Sequence, residues 1–113
     1  MLLAFSVAPS GTPAGGNPDS PSASSPDGSV HDAVAAAVKI VRESGLPHQT
    51  DAMFTTIEGE WDEVFAVVKE ATEAVGRFGS RVSLVMKADI RPGYSGELSG
   101  KIERLEKAIS ESR

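Results

Sequence analysis

Residues 48–58, His48-Gln49-Thr50-Asp51-Ala52-Met53-Phe54-Thr55-Thr56-Ile57-Glu58, are the stretch on which the fold turns. Thr, Phe and Ile suit the pleated, half-buried surface of a strand, and Asp51-Ala52 interrupts the run with a turn former. One bent strand or a tight hairpin fits this pattern, and the hairpin around Asp51 and Ala52 is the preferred reading. It supplies two strands where a single bent one would supply one.

Outward from this hairpin the chain alternates. Upstream, Ser29 is placed to cap a helix, with Asp32 three residues on and Val30, Val34, Val38 and Val41 at helical spacing, before Gly45 and Pro47 end it. Downstream, a second helix is predicted from about Glu60 to Arg77, with Trp61, Val64, Phe65, Val68, Ala71 and Val75 on one side. Glu60, Asp62 and Glu63 in its first turn and Arg77 in its last complement the helix dipole. At the two extremes lie period-2 patterns. Leu3, Phe5 and Val7 alternate with Ala4, Ser6 and Ala8, and Arg81 to Ile90 alternates around Val82, Leu84, Met86 and Ala88. Arg91-Pro92-Gly93 breaks the last strand, and a narrow stripe of Leu98, Ile102, Leu105 and Ile109 predicts a final helix from about Glu97.

Strand, helix, hairpin, helix, strand is the βαββαβ order of an α+β, ferredoxin-like sandwich, here with an extra C-terminal helix. Residues 1–113 are read as a single domain. Period 2 places Leu3, Phe5, Val7, Met53, Thr55, Ile57, Val82, Leu84 and Met86 toward the helices, with Leu84 and Met86 expected to be buried there alongside Leu3, Phe5, Val7 and Ile57. The opposite face then shows Ala4, Ser6, Phe54, Thr56, Glu58, Ser83, Val85 and Lys87. Such a bare face invites a ligand or self-association.

One segment departs from this economy. Residues 9–28 hold five Pro, five Ser and four Gly with no aromatic or branched aliphatic side chain, so a flexible loop is expected at about 10–28. Gly11, Gly15 and Gly16 do not make a phosphate-binding loop, because no Gly-Lys-Ser/Thr follows.

Charge and composition exclude several functions. Sixteen acidic against eleven basic side chains leave a net charge of −5, which repels nucleic acid and anionic bilayers and mildly favours a cationic ligand. The absence of cysteine removes disulfides, thiolate metal sites and a cysteine nucleophile, and suits a reducing compartment. Met1 to Ala8 lacks the basic n-region of a secretory signal, and no stretch reaches the roughly 18 consecutive apolar residues of a membrane span. A cytoplasmic location is expected. His31 and His48 sit at solvated element starts, no acidic cluster has metal-site spacing, and neither a catalytic residue nor a metal ligand is assigned.

Thr55-Thr56-Ile57-Glu58-Gly59-Glu60-Trp61 is the segment richest in site chemistry: two hydroxyls and a carboxylate on a strand, then a glycine turn into a helix. Together with Phe5-Ser6-Val7-Ala8-Pro9, Val34 to Gly45 and Arg81 to Ile90, its Thr56-Ile57-Glu58-Gly59-Glu60 signature resembles the thiamine-binding protein family of small ferredoxin-like proteins. That resemblance implies non-catalytic binding of thiamine or its hydroxymethylpyrimidine part, no other cofactor, and homodimers or homotetramers built from the sheets. It implies ligand contacts at Ser6, Phe54, Thr55, Thr56 and Glu58: Glu58 to accept from the pyrimidine amine, Thr56 and Ser6 for the remaining edge, and Phe54 for stacking. The competing expectation is a structural or regulatory oligomer that holds a protein partner on the open sheet face.

Overall fold

The computed structural model describes residues 1–12 and 31–112. In order these form β1 (Leu2–Ser10), α1 (His31–Glu43), β2 (His48–Thr50), β3 (Thr55–Glu58), α2 (Trp61–Val75, continued by a 3-10 turn at Gly76–Phe78), β4 (Arg81–Asp89) and α3 (Glu97–Glu111). The Ser29 cap and, beyond residue 12, the loop expected at about 10–28 lie outside the described residues.

Residues 48–58 fold as the hairpin, with His48 opposite Ile57 and Thr50 opposite Thr55. The sheet is antiparallel throughout in the order β2-β3-β1-β4, the ferredoxin-like arrangement, with α3 added at the C-terminal end. Leu3, Phe5 and Val7 from β1 and Ile57 from β3 meet Ala33, Ala37 and Val41 of α1 and Val64, Val67, Val68, Ala71 and Val75 of α2 in one core. Burying a Val, Leu, Ile or Phe side chain stabilises by about 1.5–3 kcal/mol, so this cluster is the main favourable contribution. α1 turns a different stripe inward from the one predicted: Ala33, Ala37 and Val41 are buried, whereas Val34 is exposed and Val38 half-buried. Small alanines let α1 lie close, and the two displaced valines become available to line a cavity.

The predicted faces hold in β1, yet three expectations about burial are corrected. Leu84 and Met86 sit opposite Val7 and Phe5, hence on the helix side, but they are 36% and 45% exposed. β4 is the outer strand, and the helices ride mainly over β1. Met53, expected inward on a strand, lies in the hairpin turn and is 74% exposed. Phe54, expected on the open face, belongs to the same turn and lines a cavity together with Val34, Ala37 and Val38 of α1 instead.

The open face is also less bare than predicted, because α3 touches it through its first turn and through Lys101, which pairs with Asp89 of β4. Glu97 is buried and Leu98 half-buried there, while Ile102, Leu105 and Ile109 remain exposed, so the apolar stripe of α3 docks at its start alone. Among the described residues no helix is long and apolar enough to cross a membrane.

Candidate ligand-binding site

A mismatch of strand lengths creates the site. β1 has nine residues and β3 four, and their register runs out where Phe5 faces Thr55. Beyond that point Ser6, Val7 and Ala8 keep β4 as a neighbour on one side and, among the described residues, no strand on the other. The β2–β3 turn curls into this notch, and Val34, Ala37 and Val38 of α1 close it from above. The result is a cavity of about 190 Å³.

The turn that forms one wall is fixed by its own first residue. Asp51 Oδ1 accepts hydrogen bonds from the N–H groups of Met53 (2.8 Å) and Phe54 (2.9 Å), and the Asp51 N–H donates to the Phe54 carbonyl at 2.9 Å. An Asp side chain that closes on its own backbone in this way mimics one further turn residue. The Phe54 and Met53 N–H groups hold the Asp51 carboxyl below the usual carboxylate range, so it remains an anion on the rim. Both bonds fall on Oδ1, which leaves Oδ2 outside the turn. Across the hairpin the hydroxyls of Thr50 and Thr55 pair at 3.1 Å.

The walls therefore combine an aromatic face (Phe54), a hydroxyl pair (Thr50 and Thr55), a carboxylate (Asp51), and the edge of β1 at Ser6–Ala8, whose backbone groups face no neighbouring strand among the described residues. A few polar groups over an apolar floor suit a small polar heterocycle, and the fixed carboxylate favours one that carries positive charge.

Of the five residues expected to contact a ligand, three converge here: Ser6, Phe54 and Thr55. Thr56 points to the other side of the sheet, into a separate hollow with Ala4, Lys87 and Lys101. Glu58 is buried beneath α3, where Oε2 accepts the Glu97 N–H at 2.8 Å and Oε1 the Leu98 N–H at 3.4 Å. The first amides of a helix lack intrahelical acceptors, so this carboxylate serves α3 as a cap supplied from a distant strand. Asp51, read from the sequence as a turn former, is the carboxylate that borders the cavity. Its spacing of three from Phe54 is the local signal that ties an acid to an aromatic at one turn. His31 and His48 are exposed, and among the described residues no cluster of three His, Asp or Glu is arranged to hold a metal ion.

The sequence profile of the family described as thiamine-binding protein matches residues 20–106. UPF0045 protein Mb1933 of Mycobacterium bovis is 44% identical over 110 residues, which are 96% of this chain and 94% of that one. A Bacillus cereus structure, described as a domain of unknown function DUF77, superposes with a TM-score of 0.70 at 28% identity, covering 91% of this chain and 86% of that one. A Thermotoga maritima protein suggested to act in thiamine biosynthesis or salvage shares the fold, with a TM-score of 0.61 at 23% identity over 92% of this chain and 100% of that one.

Proposed function

Because this chain belongs to the thiamine-binding protein family, we propose that it binds thiamine or its hydroxymethylpyrimidine moiety, without transforming it, in the notch between β1 and the β2–β3 turn. The observation that carries this reading is the convergence of Ser6, Phe54 and Thr55 on one cavity whose rim holds the Asp51 carboxylate. An aminopyrimidine offers an amino donor and ring-nitrogen acceptors. In this reading its ring lies against Phe54, its amine donates toward Asp51, and the backbone edge of β1 at Ser6–Ala8 takes the ring nitrogens. A thiazolium cation would gain from both the aromatic face and the nearby carboxylate. Thr56 and Glu58 act from the far side of the sheet, Glu58 by anchoring α3 and Thr56 by lining the hollow beside it. The role suggested for the Thermotoga maritima protein points to the same ligand chemistry. We place the protein in the cytoplasm, which suits a chain without cysteine.

The same proposal includes self-association. Among the described residues β4 is a nine-residue outer strand with Leu84, Val85 and Met86 exposed, and a sheet edge of this length pairs readily with another strand. Two copies of β4 paired antiparallel about Val85 would set Leu84 of one against Met86 of the other and Arg81 of one against Asp89 of the other. Apolar meets apolar, and charge meets opposite charge.

Thermal unfolding with added ligand tests the binding. Hydroxymethylpyrimidine or thiamine at 100 times its dissociation constant should add about 2.7 kcal/mol to native stability. Phe54→Ala should remove most of that gain. Unchanged unfolding temperatures with both ligands would refute the reading.

A further inference from the structure

At the opposite end of the sheet from the notch lies a second cavity, also about 190 Å³, bounded by Trp61, Tyr94, Arg91 and Glu60 with Met1 and Gly59 at its base. Its base is tied by two hydrogen bonds: Met1 N donates to the Gly59 carbonyl at 2.8 Å, and the Gly59 N–H to the Met1 carbonyl at 3.1 Å. One wall is Trp61, which stacks on Phe65 with ring centres 5.3 Å apart and 11° between planes, yet remains 52% exposed. One face of the indole is thus braced by its neighbour and the ring still presents itself to solvent.

The other wall comes from Arg91-Pro92-Gly93-Tyr94. Pro at the second position, Gly93 at φ 83° in the third, and a Tyr94 N–H donating to the Arg91 carbonyl at 3.2 Å make this a turn of the Pro-Gly pattern. Such a turn brings its first and fourth residues side by side, and the Arg91 guanidinium carbon lies 3.5 Å from the centre of the Tyr94 ring. Stacking on Tyr94 holds the guanidinium while leaving its N–H groups available, and among the described residues no carboxylate lies within ion-pair distance of it. Glu60, the acid on the rim, sits at the N-cap of α2, where the helix dipole offsets its charge.

We infer that this second cavity is a binding site for a small planar aromatic anion, whose ring lies against Trp61 and whose acidic group pairs with Arg91. Two exposed aromatic walls on a braced frame select a flat ring, and a pre-positioned guanidinium without an acid partner selects a carboxylate or phosphate over a neutral group. The site is separate from the notch and does not depend on what the notch binds.

Trp61 is the one tryptophan in the chain, so its fluorescence reports on this cavity. Titration of the full chain with benzoate should give a saturable change in emission, and benzamide, the uncharged isostere, should bind about ten- to a hundredfold more weakly. Arg91→Gln, at an exposed position, should weaken benzoate by a similar factor and leave benzamide unchanged. Benzoate affinity should be the same with and without thiamine. Non-saturable quenching, equal affinities for the two probes, an Arg91→Gln variant that binds benzoate like the wild type, or displacement of benzoate by thiamine would each overturn the inference.

Discussion

Asp51 shows how much one side chain does at the candidate site. Its carboxylate closes the β2–β3 turn through the N–H groups of Phe54 and Met53, and the turn in turn sets Phe54 against the cavity. These bonds stabilise the ionised form, so the carboxyl is depressed in the folded chain. A depressed acid contributes its stabilisation above the ordinary carboxyl range and loses it as pH falls through the lower folded value. The Phe54 amide proton, followed by NMR, should therefore titrate with a midpoint below that of an ordinary aspartate, and Asp51→Asn should abolish the step. A midpoint at or above the ordinary value would contradict the bonding described. The period-2 pattern of Thr55, Thr56 and Ile57 was readable residue by residue, and those three side chains alternate as predicted. Phe54 was not, because the strand begins one residue after it, and alternation carries no information once the backbone leaves the pleat.

Among the elements, α3 is held to the sheet by few polar contacts, the Glu58 carboxylate at its first turn and the Lys101–Asp89 ion pair with β4. Its exposed stripe of Ile102, Leu105 and Ile109 contributes little burial, whereas Glu58 accepts the amides of Glu97 and Leu98, and Arg104 pairs with Glu97 at 2.8 Å. Loss of a helix cap costs about 0.5–2 kcal/mol. Glu58→Ala should lower stability by that order and release the Glu97 and Leu98 amides to hydrogen exchange, while amides in the β1–β4 pairing keep their protection. Unaltered exchange at both positions would show that α3 is held by something else. The existence and order of the elements were legible because each carries its own period and its own breakers, such as Gly45-Leu46-Pro47 after α1 and Arg91-Pro92-Gly93 after β4. The capping role of Glu58 was not legible, since it joins residues 39 and 40 positions apart and no local pattern announces such a partner.

At the scale of the whole molecule, two features follow from pairing lengths that periodicity does not specify. The notch exists because β1 outruns β3, and the exposure of Leu84 and Met86 exists because the helices ride mainly over β1 and leave most of the outer strand β4 uncovered. If β4 pairs with a second β4 about Val85, light scattering at micromolar concentration should report a symmetric homo-oligomer, and Val85→Lys, which places two like charges opposite each other, should shift it toward monomer. A wild-type monomer would remove self-association from the account. The central claim concerns the notch itself and is tested most directly by amide shifts on titration with hydroxymethylpyrimidine. The account predicts that the largest shifts fall in Ser6–Ala8 and Asp51–Thr55. Shifts confined to the Lys87–Lys101 side of the sheet, or none anywhere, would contradict it.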